Sequence, residues 1–351
     1  MMMVAAMAAV LWGTGVAMDT PKRARWIMIA LLLLVVIAIQ IIFPDGHPLR
    51  EATGGDARLW AVVIALGGLI WGYGQVLRRV REKAGPGVSP VHEAPQGETF
   101  SDTELNRYAR HIILREIGGP GQKALKDAKI LVIGAGGLGA PALQYLAAAG
   151  VGQIGVIDDD VVDNSNLQRQ VIHTDSKIGA PKVQSATEAM KALNPFITVK
   201  PYNRRLTTEI AEALFAEYDI VLDGTDNFDT RYLVNATCVA TKIPLIAAAL
   251  TQWEGQISVY DPANDAPCYA CLFPKAPAAD LVPSCAEAGV LGPLPGVIGS
   301  MMAVEAVKLI AKAGDPLRNR LLIYDALYSE TRVIKASRRP DCAVCGTPPL
   351  T

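Results

Sequence analysis

A five-residue apolar run, KILVI at 129–133, opens directly into GAGGLG at 134–139, and no other feature restricts the fold of this chain so tightly. Gly134, Gly136 and Gly139 hold the G-x-G-x-x-G spacing between a strand and the start of a helix. Glycine permits the tight turn and lets the backbone approach phosphate, while the helix N-terminus offers free N–H donors to an anion. Asp158 ends the next apolar run, IGVID at 154–158, nineteen residues after Gly139, where a carboxylate can accept from ribose hydroxyls. DIVLD (219–223), PLIAAAL (244–250) and QISVYD (256–261) read as further strands. Helical stretches are expected near 101–114, where Ser101 and Glu104 have capping-box spacing, at 181–193, and after 223 to about 241. Strands alternating with helices predict a doubly wound, Rossmann-like α/β domain whose parallel sheet is covered on both faces. Alone, the glycine fingerprint specifies a nucleotide and leaves NAD and ATP both open.

The chain of 351 residues has room for one large domain or two modest ones, and its formal charge is −1 with no basic block in the second half. Nucleic acid is a poor partner for such a surface, because phosphate backbones require clustered Lys and Arg. Mean hydropathy is +0.26, high for a soluble protein, and the excess lies at the front. Residues 26–43 (WIMIALLLLVVIAIQIIF) carry no formal charge, and as a helix they rise about 27 Å against the ~30 Å hydrocarbon layer of a bilayer. A second run, 59–77, contains Trp60, Trp71 and Tyr73 as interface anchors. Residues 1–83 are therefore expected to be a membrane anchor of two transmembrane helices, with residues 1–18 open between a short third span and an over-extended start. Lys22, Arg23 and Arg25 precede the first span, and Arg78, Arg79, Arg81 and Lys83 come after the second. These basic flanks place the chain beyond residue 83 on the cytoplasmic face of an inner membrane. Residues 84–99, rich in Pro and Gly, read as a linker to a domain at 100–351.

Four further segments separate ATP from NAD: RYARHIIL (107–114), DNSNLQRQ (163–170), GAPK ending at Lys182, and DGTDNFDTR (223–231). With them, nearly all of residues 101–346 resembles the ThiF/MoeB/E1 superfamily of ubiquitin-like-protein activating enzymes, nearest its bacterial molybdopterin-synthase adenylyltransferase branch; the first hundred residues lie outside the resemblance. The resemblance implies ATP-dependent adenylation of the C-terminal Gly-Gly carboxylate of a sulfur carrier in molybdenum-cofactor biosynthesis. It implies a nucleotide site of Gly134, Gly136, Gly137, Gly139, Asp158, Ser165, Asn166, Leu167, Gln168, Arg169, Lys182, Thr225, Asp226 and Asn227. Within it, Asp158 would take the ribose, Arg169 and Lys182 the phosphates, and Asp226 Mg²⁺. Arg110 would reach the ATP of a neighbouring subunit, which requires a homodimer. Such chemistry suits these residue types, since a terminal carboxylate with pKa ~3.5 is ionised at neutral pH and needs charge neutralisation and in-line placement rather than a base.

Of six cysteines, four form Cys268-x-x-Cys271 and Cys342-x-x-Cys345, two clips able to converge on Zn²⁺ as four thiolates, a layout the resembled family shares. A redox dithiol is the alternative. Cys285 precedes a predicted helix, a position that lowers a thiol pKa, and relatives use such a cysteine for a covalent intermediate with the carrier; catalytic and structural roles both stay open. Cys238 reads as packing. His47, His92, His111 and His173 are scattered and form no hydrolase triad. Six residues follow Cys345, leaving no fused sulfurtransferase domain, so a separate sulfur donor is expected. Alternatives are an adenylyltransferase for the thiamine-pathway carrier, an NAD-dependent oxidoreductase, which would leave NLQRQ and the paired clips unexplained, and a carrier-docking protein without turnover.

Overall fold

The computed structural model of the chain describes residues 2–18, 20–55, 57–84, 99–277 and 288–346. Cys285 and linker residues 85–98 lie outside the described residues. The chain divides into two compact units, Met1–Pro90 and Val91–Thr351.

The described residues of the first unit form four helices: α1 (Met2–Ala17), α2 (Lys22–Ile42), α3 (Pro48–Ala52) and α4 (Ala57–Ala84). α2 has 21 residues and a hydropathy of 2.6, long and apolar enough to cross a membrane by length and composition. It begins four residues earlier than the uncharged run, so Lys22, Arg23 and Arg25 ride on its first two turns. The second expected span falls inside α4, a single helix of 28 residues. Polar groups close the turn between them. Gln40 Nε2 donates to Thr53 Oγ1 at 2.8 Å, and Trp60 Nε1 donates to the Thr53 carbonyl at 3.1 Å.

The second unit is built on one eight-stranded sheet in the order β3-β2-β1-β4-β5-β6-β7-β8. The strands are β1 (Lys129–Ile133), β2 (Gln153–Ile157), β3 (Thr198–Tyr202), β4 (Ile220–Asp223), β5 (Leu245–Leu250), β6 (Glu254–Tyr260), β7 (Arg320–Asp325) and β8 (Glu330–Lys335). The sheet is mixed rather than wholly parallel: β3 to β5 run parallel, whereas β5–β6, β6–β7 and β7–β8 are antiparallel pairs. The turn from β5 to β6 has only Thr251, Gln252 and Trp253 between strands, too few for a parallel crossover of a dozen residues or more.

Both faces are buried over the parallel half. Ile130 and Val132 of β1 enter one core, while Leu131 and Ile133 enter the other, as the two-residue period of a strand requires. The first core packs under α7 (Gly139–Ala149), α8 (Lys182–Leu193) and α12 (Pro293–Ala311). α12 passes the same composition test for a membrane span as α2, yet Leu294, Ile298 and Met302 are fully enclosed in this core. α9 (Thr208–Phe215) and α10 (Phe228–Thr241) cover the other face. α5 (Asp102–Ile112) starts at the expected capping box: Ser101 Oγ accepts from Glu104 N, and Glu104 Oε2 accepts from Ser101 N at 2.9 Å. α6 (Gly118–Asp127) leads from it into β1.

Register sets the ends of the central strands level. Ile133 pairs with Ile157 and with Asp223, so Gly134, Asp158 and Gly224 emerge side by side. The β1–α7 turn is tightest where Gly139 passes Gly134, and a Cβ on Gly139 would stand 1.9 Å from the Gly134 carbonyl oxygen. Gly139→Ala is therefore expected to destabilise this unit by about 1–3 kcal/mol and to displace the glycine turn. Urea unfolding compared with the parent chain checks it, an unchanged midpoint contradicting the close approach.

Candidate active site

A cleft of about 990 Å³ opens at the C-terminal ends of β1, β2 and β4. β1 is the point where strand order reverses, with β2 on one side and β4 on the other, the place where open α/β sheets receive ligands. The cleft brings together Gly134, Gly136, Gly137, Asp158, Arg169, Lys182, Thr225, Asp226 and Asn227. Gly139, Ser165, Asn166, Leu167 and Gln168 do not line it.

The glycine turn is braced from behind. Asp158 Oδ2 accepts from Ala135 N at 2.7 Å, and Oδ1 accepts from Asp160 N at 2.8 Å. A carboxylate has about four acceptor positions, so Asp158 retains capacity toward a ligand. Gly134 takes φ +91°, a conformation that needs glycine, and Gly136 leaves room: a Cβ there would meet only Gln170 Nε2, at 3.6 Å. Gln170 lines the cleft, is 4% exposed, and its Oε1 is buried with no hydrogen-bond partner among the described residues. Beside the glycine turn, then, the protein holds a polar group it does not itself use, which suits a nucleotide.

Cations are held by local partners. Lys182, in the first turn of α8, is 5% exposed and meets Asp160 at 2.7 Å. Arg169 Nη2 donates to Asn166 Oδ1 at 2.7 Å and Nη1 to the Ser165 carbonyl at 3.2 Å. Asn166 and Ser165 thus orient Arg169 from outside the cleft. Gln168 packs against Gly292 at the start of α12, where a Cβ would come within 2.6 Å of its Oε1. On the opposite wall, Thr225 N and Oγ1 donate to Asp223 Oδ1 at 2.9 and 2.6 Å. Arg231, buried, donates to the carbonyls of Thr225 and Ala248 and faces Asp223. These bonds fix the loop that carries Asp226. Asp226 is exposed and has no ion pair among the described residues, so its carboxylate is available to a hard cation. Asn227 lines the cleft but caps α10, its Oδ1 accepting from Thr230 N at 2.8 Å.

Several lining residues are not marked by the sequence motifs: Asp160, Gln170, Arg204, Arg205, Arg231 and Lys275. Gln170 and Arg231 stand inside the quoted segments without a role, and Asp160 ends an acidic triplet whose carboxylates lie within 4.8 Å of one another. Arg110, in the last turn of α5, is exposed and does not line the cleft of its own chain.

The four clip cysteines converge. Sγ–Sγ distances are 3.8 Å for Cys268–Cys271, 3.6 Å for Cys268–Cys342 and 3.4 Å for Cys271–Cys345. Disulfides require about 2.05 Å, whereas a tetrahedral zinc with bonds of about 2.3 Å sets edges near 3.8 Å. Burial pushes the Cys268 and Cys271 thiols up, whereas at Cys342 burial is outweighed by hydrogen bonds from the Cys345 and Val344 backbone, which bring it down to about 7, so a cation is needed to hold the first two as thiolates. The set suits zinc. Cys268 stands at the N-cap of α11 (Tyr269–Leu272) and Cys271 lies within it; Tyr269 and Phe273 line the cleft, and Tyr232 Oη donates to the Phe273 carbonyl at 2.8 Å.

His173 is a buried structural group. Its Nε2 lies 2.9 Å from the Ala135 carbonyl and its Nδ1 2.9 Å from Ser185 Oγ. A carbonyl only accepts, so Nε2 carries the proton and Nδ1 accepts from the serine hydroxyl. Burial holds its pKa below the ordinary value. A depressed histidine stabilises the fold above its unfolded pKa of ~6.5, and that contribution is lost as pH falls through the folded value. Melting temperature should therefore fall between about pH 7 and about pH 5, and His173→Gln should flatten that slope. Equal slopes for the two proteins in a thermal-melt series would remove His173 from the acid response.

The ThiF family model matches residues 108–344. The chain is 49% identical over 254 residues to the sulfur carrier protein adenylyltransferase of Thermus thermophilus, covering 71% of this chain and 94% of that one. It is 48% identical over 247 residues to the molybdopterin-synthase adenylyltransferase of Salmonella typhimurium, covering 70% and 98%. A crystal structure of E. coli MccB with ATP aligns at a TM-score of 0.60 and 26% identity, over 71% of this chain and 76% of that one. With a family match over most of its length and relatives near half identity, this chain belongs to the ThiF family.

Proposed function

We propose that this chain adenylates the C-terminal carboxylate of a ubiquitin-like sulfur carrier, the small subunit of molybdopterin synthase, using ATP. One carboxylate oxygen attacks the α-phosphorus, the bond from that phosphorus to the bridging oxygen breaks, and pyrophosphate leaves with the electron pair. One observation carries the reading: a glycine turn, two fixed cations (Arg169 and Lys182) and a carboxylate with no ion pair among the described residues (Asp226) meet in one cleft at the strand-order reversal. A hydride-transfer site has no need of the last three. Relatives named as adenylyltransferases for a sulfur carrier and for molybdopterin synthase support the same chemistry.

In this reading the glycine turn and the N-terminus of α7 receive phosphate, and Asp158 receives the ribose. Arg169 and Lys182 offset charge developing on the triphosphate, Lys182 leaving Asp160 as it engages. Mg²⁺ bound at Asp226 would neutralise the departing pyrophosphate, as is usual for an ion that takes one or two carboxylates plus substrate phosphates. Zn²⁺ in the cysteine quartet fastens the C-terminal segment to α11. The enzyme acts as a homodimer: Arg110 is free of its own cleft, and exposed Ile113 and Leu114 follow it, an apolar edge suited to a second subunit. A separate protein donates sulfur to the acyl-adenylate, and Cys285 is a candidate for any covalent handover. The apolar helices α2 and α4 anchor the enzyme in the inner membrane, with basic flanks keeping the catalytic unit cytoplasmic.

ATP–pyrophosphate exchange by the detergent-solubilised full chain tests the proposal. Exchange should require both Mg²⁺ and a molybdopterin-type carrier ending in Gly-Gly. Exchange only with a thiamine-type carrier would reassign the pathway, and silence with both would overturn adenylation. Asp226→Asn should fold normally and lose on the order of 10²–10³ in rate. A chelator should release one zinc per chain, read with a metallochromic dye, and weaken ATP binding in a nucleotide titration because α11 carries Tyr269 into the cleft wall. Unchanged affinity after zinc loss would separate the quartet from the cleft.

A further inference from the structure

We infer that α1 is a third membrane-crossing helix, whose N-terminal end lies on the face of the bilayer opposite the catalytic unit. This rests on the proposal above that α2 and α4 span the membrane.

The first observation is where α1 ends. Val4, near its N-terminus, is 3% exposed and packs in one cluster with Val36 of α2 and Trp60 of α4. Val36 belongs to the last third of α2, and Trp60 to the first turn of α4, where its indole N–H closes the α2–α4 turn. α1 therefore runs the depth of the hairpin and brings its N-terminal end to the level of that turn. At its other end, Trp12 and Trp26 meet edge to face with centroids 5.2 Å apart, and the Arg25 guanidinium lies 5.8 Å from the Trp12 ring. Two indoles beside a cluster of basic side chains form the arrangement expected at a cytoplasmic membrane–water boundary.

The second observation is the surface of α1. Its sequence, MMVAAMAAVLWGTGVA, has no charge, and apolar residues occupy every side of the helix. A helix lying in the plane of the interface needs a polar face, and this one has none. Met2, Val10 and Val16 are 89%, 64% and 52% exposed, an apolar surface whose fitting partner is hydrocarbon. Its one hydroxyl is satisfied internally, Thr14 Oγ1 donating to the Val10 carbonyl at 2.9 Å. The α1–α2 turn satisfies its own backbone as well: Thr20 Oγ1 donates to the Gly15 carbonyl at 3.0 Å, and Arg25 Nε to the Thr20 carbonyl at 2.9 Å. Lipid demands that kind of closure. Sixteen residues rise about 24 Å, short of ~30 Å, a mismatch relieved by local thinning and by Arg25 reaching to the boundary.

Labelling of the full-length chain in intact spheroplasts with a membrane-impermeant maleimide tests this. The parent chain, whose cysteines all lie beyond the linker, should stay unlabelled, while Ala52→Cys in α3 and Met2→Cys should both label. Ala52→Cys labelled with Met2→Cys silent would overturn the third span and leave the two-span anchor intact. Silence from both, or labelling of the parent chain, would overturn the anchor proposal itself, and α1 with it.

Discussion

The turn from β1 into α7 governs the rest of the catalytic unit, because two backbone segments touch there with no space for a side chain. That contact presses Gly134 and Gly139 together and leaves Gly136, Gly137 and Leu138 lining the cleft. The turn is then held from outside on both of its polar groups at Ala135: the N–H donates to Asp158, and the carbonyl accepts from His173. The bond to the charged Asp158 is of the kind that contributes about 1.5–3 kcal/mol, and the bond from the neutral His173 about 0.5–1.5 kcal/mol. Their greater effect is geometric. Asp158 follows the end of β2, and His173 reaches Ser185 of α8, so hydrogen bonds join the glycine turn, the acid beside it and the helix carrying Lys182.

The same logic of indirect support recurs on the opposite wall. Arg231 spans from α10 to β5 and to the Thr225 carbonyl, and so places Asp226 without facing the cleft alone. A buried ion pair such as Arg231–Asp223 is weak evidence for net stability, since desolvation offsets attraction, but breaking it leaves an uncompensated charge. Its value here is that it holds the Asp226 loop in one position. The cysteine quartet acts comparably at longer range: Cys268 precedes α11 and Cys271 lies within it, and Tyr269 of the same helix meets Phe273 at a tilt, ring centroids 4.8 Å apart, in the cleft lining.

Strong local signals made much of this legible in the sequence. KILVI, IGVID and DIVLD became β1, β2 and β4 within a residue, the capping box at Ser101 formed, and the glycine fingerprint marked the cleft. β3 was missed because TVKPY contains Pro201, which cannot donate to a ladder; the strand survives because it lies at the sheet edge. With β3 unseen, Arg204 and Arg205, just past its end, had no place near the nucleotide. β8 was hidden for a different reason: all six of its residues are exposed, so no burial alternation was written into them. The antiparallel half of the sheet arises from turn length rather than from any motif. Second-layer roles such as Asn166 holding Arg169 arise from three-residue spacing in a 3₁₀ turn, which the motif contains but does not announce.

The character of the cleft also limits the chemistry it can do. No histidine lines it among the described residues, and the one histidine nearby has both ring nitrogens committed to structure. Proton abstraction from a neutral nucleophile would therefore fall to a lining carboxylate such as Asp158 or Asp226 rather than to an imidazole. A carboxylate nucleophile removes that need, since it arrives ionised. What remains is to bring two anions together, and the Arg and Lys side chains lining the cleft supply charge for that. Its cations are positioned by local partners in advance: Arg169 by Asn166 and Ser165, Lys182 by Asp160. Arg204, Arg205 and Lys275 add charge with no ion pairs among the described residues. Preorganised charge of this sort costs no reorganisation when the phosphate bond breaks, and it acts most strongly where water is excluded. The Lys182–Asp160 pair adds a further consequence. An anion competing for Lys182 must displace a mostly exposed aspartate, whose charge water readily solvates, so the lysine is buried without being trapped.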